Sequence, residues 1–330
     1  MRVLVLGGTS WLGHQVASTA LVQGHDVVCL ARGNGPVPTG ATLVKADRAD
    51  NEGYSRLAGE FDAAIDVARD PAHVAGAVAA LEARIEHWVL VSSCSVYATH
   101  DRPGAAEDAP LLPALTTAYS DEFYGEGKVA CEQALAAALT ADRFLVARSG
   151  LITGPGDISD RTGYWPLRLA HPAAEGRVLA PASGAQPVQL IDVRDLADFL
   201  VLAATSRIAG TLNVSGRVTT MHDYFLDVAA VTAFSGELVL ADADWLTERG
   251  VQPWAGPRSL PLWLPGAAYA GFMARSVDAA YATGLRTRDM RESITDTLAW
   301  ELQAGPGRQR KAGLSAAEER ELLSQLGAGN

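Results

Sequence analysis

The chain has little cysteine, little lysine and no long apolar run. Only Cys29, Cys94 and Cys131 occur in 330 residues. Three cysteines cannot all pair, and theirs show no metal-ligand spacing, so the expectation is reduced thiols in a cytoplasmic protein without a metal. No apolar stretch approaches the ~18 residues that cross a bilayer. The opening MRVLVLGG reaches glycine too soon for the apolar core of a signal peptide. Basic residues are also scarce, 27 against 38 acidic, for a formal net charge of −11. That balance lacks the basic footprint of a nucleic-acid binder. What remains is an ordinary globular composition, with 48% apolar and 20% charged residues. The length suggests about two domains, or one large domain with a lobe.

The first half alternates strand-like and helix-like patterns. Short β-branched runs at 2–6, 26–30, 42–45, 61–67, 87–93 and 143–148 read as strands. Residues 14–23, 71–84 and 118–139 read as helices, the second opened by Pro71. Strands separated by helices imply right-handed crossovers and an α/β, doubly wound, Rossmann-like parallel sheet. After residue 150 the pattern loosens. Residues 187–191 read as a strand, 195–204 as a helix and 211–214 as a further strand. Residues 253–265, rich in proline, read as a loop or lid, and 289–303 and 315–326 as terminal helices. The expected organisation is a dinucleotide-binding domain over 1–150 plus about 187–215. A smaller, discontinuous C-terminal substrate lobe would take 151–186 and 216–330.

The segment Gly7-Gly8-Thr9-Ser10-Trp11-Leu12-Gly13 lies between the first strand and first helix. Glycines there turn the chain tightly and bring amides and a helix N-terminus against a pyrophosphate. At the end of the second strand, where an acid would bond the ribose 2′-hydroxyl of NAD, stands Arg32. Arginine favours a 2′-phosphate, so NADP(H) is expected over NAD(H).

Tyr124 and Lys128 are four apart, on one face of a helix. With eight tyrosines and three lysines in the chain, such a pair is rare by chance. A phenol near pKa 10 can exchange a proton near neutrality only if its anion is stabilised, and an ammonium neighbour does this. Tyr119 lacks a lysine four residues on. A hydroxyl is also wanted at the end of the fifth strand, where Ser92, Ser93 and Ser95 all compete.

The motifs GGTSWLG, YGEGKVACEQAL, LIDVRDLADFL and GTLNVSG together resemble the extended and atypical short-chain dehydrogenases/reductases, the NAD-dependent epimerase/dehydratase family. Ser10 replaces the usual middle glycine of the turn, and Gly127 a usual serine. The resemblance spans residues 1–215 and thins beyond. It implies Ser93, four residues before Tyr97, as the third catalytic residue beside Tyr124 and Lys128, with Lys128 also reaching the nicotinamide ribose. It implies Asp47 near the adenine, and Asp66, Val67 and Ala68 in the loop along the cofactor. The family's dehydratases carry Thr-Asp-Glu where this chain has Ser93-Cys94-Ser95, so dehydration is disfavoured.

The expected activity is therefore an NAD(P)(H)-dependent oxidoreductase that interconverts a carbonyl and a secondary alcohol with tyrosine acid/base catalysis. The alternatives are a nucleotide-sugar epimerase with tightly bound NAD, and a non-catalytic dinucleotide-binding sensor. The expected partner is a small-molecule substrate, not a nucleic acid or a membrane, with a homodimer left open. Ser95, Tyr164, Trp165 and Arg288 are the candidate substrate contacts; the loop Arg161–His171, Arg286 and the Trp254/Trp263 segment are further sources of cationic and aromatic groups.

Overall fold

The computed structural model describes residues 1–327. The chain runs β1 (Arg2–Leu6), α1 (Trp11–Val22), β2 (Asp26–Ala31), β3 (Thr42–Lys45), β4 (Phe61–Asp66), α2 (Pro71–Leu81), β5 (Ile85–Ser93), α3 (Tyr124–Ala138) and β6 (Phe144–Ser149). Next come β7 (Leu151–Thr153), α4 (Tyr164–Ala170), β8 (Arg177–Pro181), β9 (Pro187–Val188), β10 (Leu190–Asp192), α5 (Val193–Ser206) and β11 (Gly210–Val214). The remainder is β12 (Thr219–Thr220), α6 (Met221–Thr232), β13 (Glu237–Ala241), α7 (Ala243–Glu248), β14 (Gln252–Trp254), β15 (Gly256–Pro257), β16 (Ser259–Pro261), α8 (Asp278–Ala282), α9 (Met290–Ala304), β17 (Ala312–Gly313) and α10 (Ala316–Gly327).

Seven parallel strands form the central sheet in the order β3-β2-β1-β4-β5-β6-β11. Both faces are covered, so the strands read as continuous apolar runs rather than alternating ones. The period of two still sorts the side chains. Val3, Val5, Ile65 and Val89 pack toward α1 and α5, whereas Leu4, Leu6, Ala64 and Leu90 pack toward α2 and α3. Each fully buried valine or leucine contributes about 1.5–3 kcal/mol. The strand order reverses between β1 and β4. Such a switch point opens a crevice at the carboxyl ends of the strands.

A separate core gathers around Trp165, Trp263, Tyr224, Met221 and Leu322, all supplied after residue 150. Two sequence expectations change there. Residues 187–191 are not one strand: Gln189 splits it, its amide bonding Gly216 O and Arg275 O and its carbonyl accepting from Arg275 N. β9 then pairs antiparallel with β12, and β10 parallel with β7. The proline-rich 253–265 segment is not a free loop, since β14 pairs with β16, β15 pairs with β17, and Trp263 is wholly buried. The helix expected over 118–139 begins only at Tyr124, after a short 3-10 turn at Asp121–Phe123 and an extended Ser120. Among the described residues no helix is long and apolar enough to cross a membrane, and no group of His, Cys, Asp and Glu could hold a metal.

Candidate active site

A cavity of about 500 Å³ occupies the crevice. Its floor is the turn between β1 and α1. Gly7 has φ +100°, and Gly13 lies so close to it that a Cβ would stand 2.2 Å from the Gly7 carbonyl oxygen. Gly8 backs onto Cys29, and Thr9 continues the turn. Ser10 caps α1: its Oγ accepts from Gly13 N and donates to Gly7 O at 2.8 Å, while its carbonyl takes His14 N. The hydroxyl is thus folded back into the turn rather than projecting from it. The amides of Trp11 and Leu12, the first two of the helix, are left for a ligand at its positive end. Ser10, Trp11 and Leu12 border the cavity. A tight turn with free helix-terminal amides fits the pyrophosphate of a nicotinamide dinucleotide.

Val67 also borders the cavity, just past β4. Arg48 and Asp66 explain how that strand end is held. The guanidinium donates two bonds to the carboxylate, at 2.7 and 2.6 Å, with both side chains buried. Asp66 Oδ1 also accepts from Ala68 N. Asp47, which the family resemblance sets near the adenine, stands one residue before Arg48. Asp47 is exposed, with its Oδ1 accepting from Ala49 N. Arg32 is exposed too, at the end of β2, two residues after the carbonyl of Leu30 that accepts Gly7 N. Arg32 and Asp47 both lie outside the cavity.

Ser93, Tyr124 and Lys128 come together on the cavity wall. Lys128 is 2% exposed and forms no ion pair among the described residues; its ammonium donates to Ala68 O at 2.5 Å and Val91 O at 2.6 Å. A third N–H remains available. The Lys128 Nζ lies 6.0 Å from the Tyr124 ring centroid. Ser93 Oγ accepts from Ser95 N and donates to Ser95 Oγ, both at 3.1 Å, so Ser95 supports Ser93 and also borders the cavity. Ser92 points the other way, as strand alternation requires, and its hydroxyl bonds Glu132. Tyr119 is engaged by Asp121, and its ring fills the space a Cβ at Gly127 would need.

The opposite parts of the wall come from the residues after 150. Trp11 Nε1 donates to Pro155 O at 2.8 Å, fixing the loop after β7 against α1. That loop brings Asp157, Ser159 and Arg161 to the cavity, joined by Trp254, Phe272 and Met273. Trp254 has φ +68° and meets Phe272 edge-on at 5.2 Å.

Three expected substrate contacts are corrected. Tyr164 and Trp165 are 2% and 0% exposed and sit in the core beyond the cleft, because α4 turns both rings inward; Trp165 Nε1 donates to Pro261 O. Arg288 bonds Asp195 and Glu292 and braces α5 against the start of α9. Sequence reasoning missed Arg69 and Gln189 on the wall and, behind it, Arg48, which pairs with Asp66.

Residues 72–215 match the model of the NAD dependent epimerase/dehydratase family. The chain is 30% identical over 223 residues to a 2'-dehydrokanamycin reductase of Streptomyces kanamyceticus. That similarity takes in 64% of this chain and 60% of the reductase, so the chain spans less than two thirds of that relative. A 3-diazoavenalumate denitrifying reductase of a Streptomyces species is 27% identical, over 65% of this chain and 76% of its own. Among solved structures, a UDP-glucose-4-epimerase from Stenotrophomonas maltophila, with bound NAD and formylated UDP-arabinopyranose, superposes with TM-score 0.68 at 20% identity. It covers 93% of this chain and 100% of that one. A UDP-N-acetylglucosamine 4-epimerase from Bacillus cereus gives 0.67 at 15% identity, over 95% and 100%. At those identities the likeness is one of fold. The sheet and the glycine turn agree with that match, which makes residues 72–215 similar to the NAD dependent epimerase/dehydratase family.

Proposed function

We propose that the protein is an NAD(P)(H)-dependent oxidoreductase interconverting a carbonyl and a secondary alcohol. The observation that carries this reading is the convergence of Ser93, Tyr124 and Lys128 on the cavity that the free amides of α1 also face. The reductase relatives support the same direction. Residues 1–150 with about 187–215 form the dinucleotide-binding unit, and 151–186 with 216–330 the substrate lobe.

A bound nicotinamide dinucleotide supplies or accepts the hydride. Gly7 to Gly13 hold its pyrophosphate, with Val67, Ala68 and Asp47 along its length. Ser93 Oγ donates a hydrogen bond to the substrate oxygen and holds it beside Tyr124. The Tyr124 hydroxyl gives its proton to that oxygen on reduction and takes one on oxidation. Lys128, anchored by two main-chain carbonyls, places its positive charge and third donor at the nicotinamide ribose. Arg32 meets a 2′-phosphate, which makes NADP(H) the preferred form.

The test is a fluorescence titration with NADPH and NADH, together with mass spectrometry of the purified protein. The reading expects tighter NADPH binding, lost in Arg32→Asp, and an exchangeable cofactor. Equal affinities for the two would remove the NADP(H) assignment. Tightly retained NAD would favour an epimerase instead.

A further inference from the structure

We infer that the substrate carries an oxyanion, a carboxylate or a phosphate, which the guanidinium fork of Arg161 receives against the Trp254 ring. This inference rests on the oxidoreductase reading above and names the substrate class of the same site.

Arg161 borders the cavity that holds Tyr124 and Ser93. Its Cζ lies 4.7 Å from the Trp254 ring centroid. Its Nε donates to Ser159 Oγ at 3.1 Å. Among the described residues its two terminal nitrogens have no protein partner, and no carboxylate lies within 4.0 Å. Asp157 is near but already committed: Oδ1 accepts from Ser159 N, and Oδ2 from Thr162 N and Thr162 Oγ1. Arginines on neighbouring segments end differently. Arg168 meets Glu319, and Arg308 and Arg310 meet Glu301. Arg161 is therefore a half-buried cation on the cavity wall with two donors left unpaired among the described residues. A guanidinium fork matches a carboxylate or phosphate through two parallel bonds.

The fork is also held in advance. Asp160, the preceding residue, has φ +61° and is fixed by Arg308 Nη2 at 2.5 Å and Lys311 N at 2.9 Å. Thr162, the following residue, is tied to Asp157. Trp254, the platform, is itself a bulky residue in the left-handed region, a conformation that persists where surrounding structure imposes it and that clusters at ligand clamps. Burial lowers the Arg161 pKa, against the pull of Asp157 and Tyr124, so an incoming anion relieves a desolvated charge.

The experiment titrates benzoate, phenyl phosphate and neutral benzyl alcohol into the wild-type protein, Arg161→Gln and Arg161→Lys by calorimetry, with and without NADP⁺. NADPH binding is measured in the same proteins. At least one anion should bind the wild type in preference to benzyl alcohol, and its identity separates carboxylate from phosphate. Arg161→Gln should weaken that anion at least about tenfold, with Arg161→Lys between the two. NADPH affinity should stay within about twofold of wild type in both variants. Absence of anion binding, equal binding of benzyl alcohol, or an unaffected Arg161→Gln overturns the inference. So does a parallel loss of NADPH binding, which would assign the fork to the cofactor. Because binding is read without turnover, the result is separate from the fate of Tyr124 as proton donor.

Discussion

Gly125 presses against Ser95: a Cβ at 125 would stand 2.5 Å from the Ser95 carbonyl oxygen and 2.6 Å from Leu112 Cδ1. The first turn of α3 can approach the end of β5 only because no side chain intervenes, and that approach brings Tyr124 to the wall that holds Ser93. Gly125→Ala should cost about 1–3 kcal/mol, as overpacking does, despite alanine's better helix propensity. Urea denaturation checks this. An unchanged midpoint would mean that the contact yields easily.

The Arg48–Asp66 pair is buried and also orients Ala68, whose carbonyl accepts from Lys128. Removing one partner leaves the other charge uncompensated. Arg48→Met should destabilise the protein by about 3–5 kcal/mol, read from denaturant curves. The paired change Arg48→Met with Asp66→Asn should recover part of the loss.

His100 accepts from an Arg275 Nη at 2.7 Å, and burial together with that guanidinium lowers its pKa to about 4. The native state holds His100 neutral while the unfolded chain protonates it near 6.5. Its contribution to stability is therefore present above pH 6.5 and lost as pH falls toward 4. Denaturation at pH 7 and at about pH 4.5 should show a smaller acid loss in His100→Gln than in wild type.

The cysteines are buried, and burial pushes the Cys29 thiol up to about 11 and those of Cys94 and Cys131 up to about 12. Iodoacetamide at pH 8 should label none of the three in the native protein and all three in urea. Their contribution to stability is present below the unfolded thiol pKa and lost as pH rises toward 11–12.

The parallel sheet was legible because β1, β2 and β4–β6 are apolar runs separated by helical patterns. The glycine turn and the Tyr124–Lys128 pair were legible because their chemistry lies within a few residues of sequence. Ser93 was separable from Ser92 through its place four residues before Tyr97 in the family resemblance, and strand alternation agrees, since the Ser92 hydroxyl is turned to Glu132. Arg288 was misread because its partner Asp195 is 93 residues away. Tyr164 and Trp165 were misread because a short helix in a glycine-rich stretch gives little periodicity, and their burial depends on β16, α6 and α10. Arg161 belongs to the loop 161–171 that the sequence offers as a source of pocket arginines, but its unpaired fork depends on the loop anchors of the C-terminal segment, which no local pattern reveals.

The most direct measurement is the rate of NADPH consumption by Tyr124→Phe, with any ketone that the wild-type protein reduces, beside its NADPH affinity. Loss of turnover by a factor of about 10²–10⁴ with affinity nearly unchanged is the predicted result. A variant that turns over at the wild-type rate would contradict proton transfer by Tyr124.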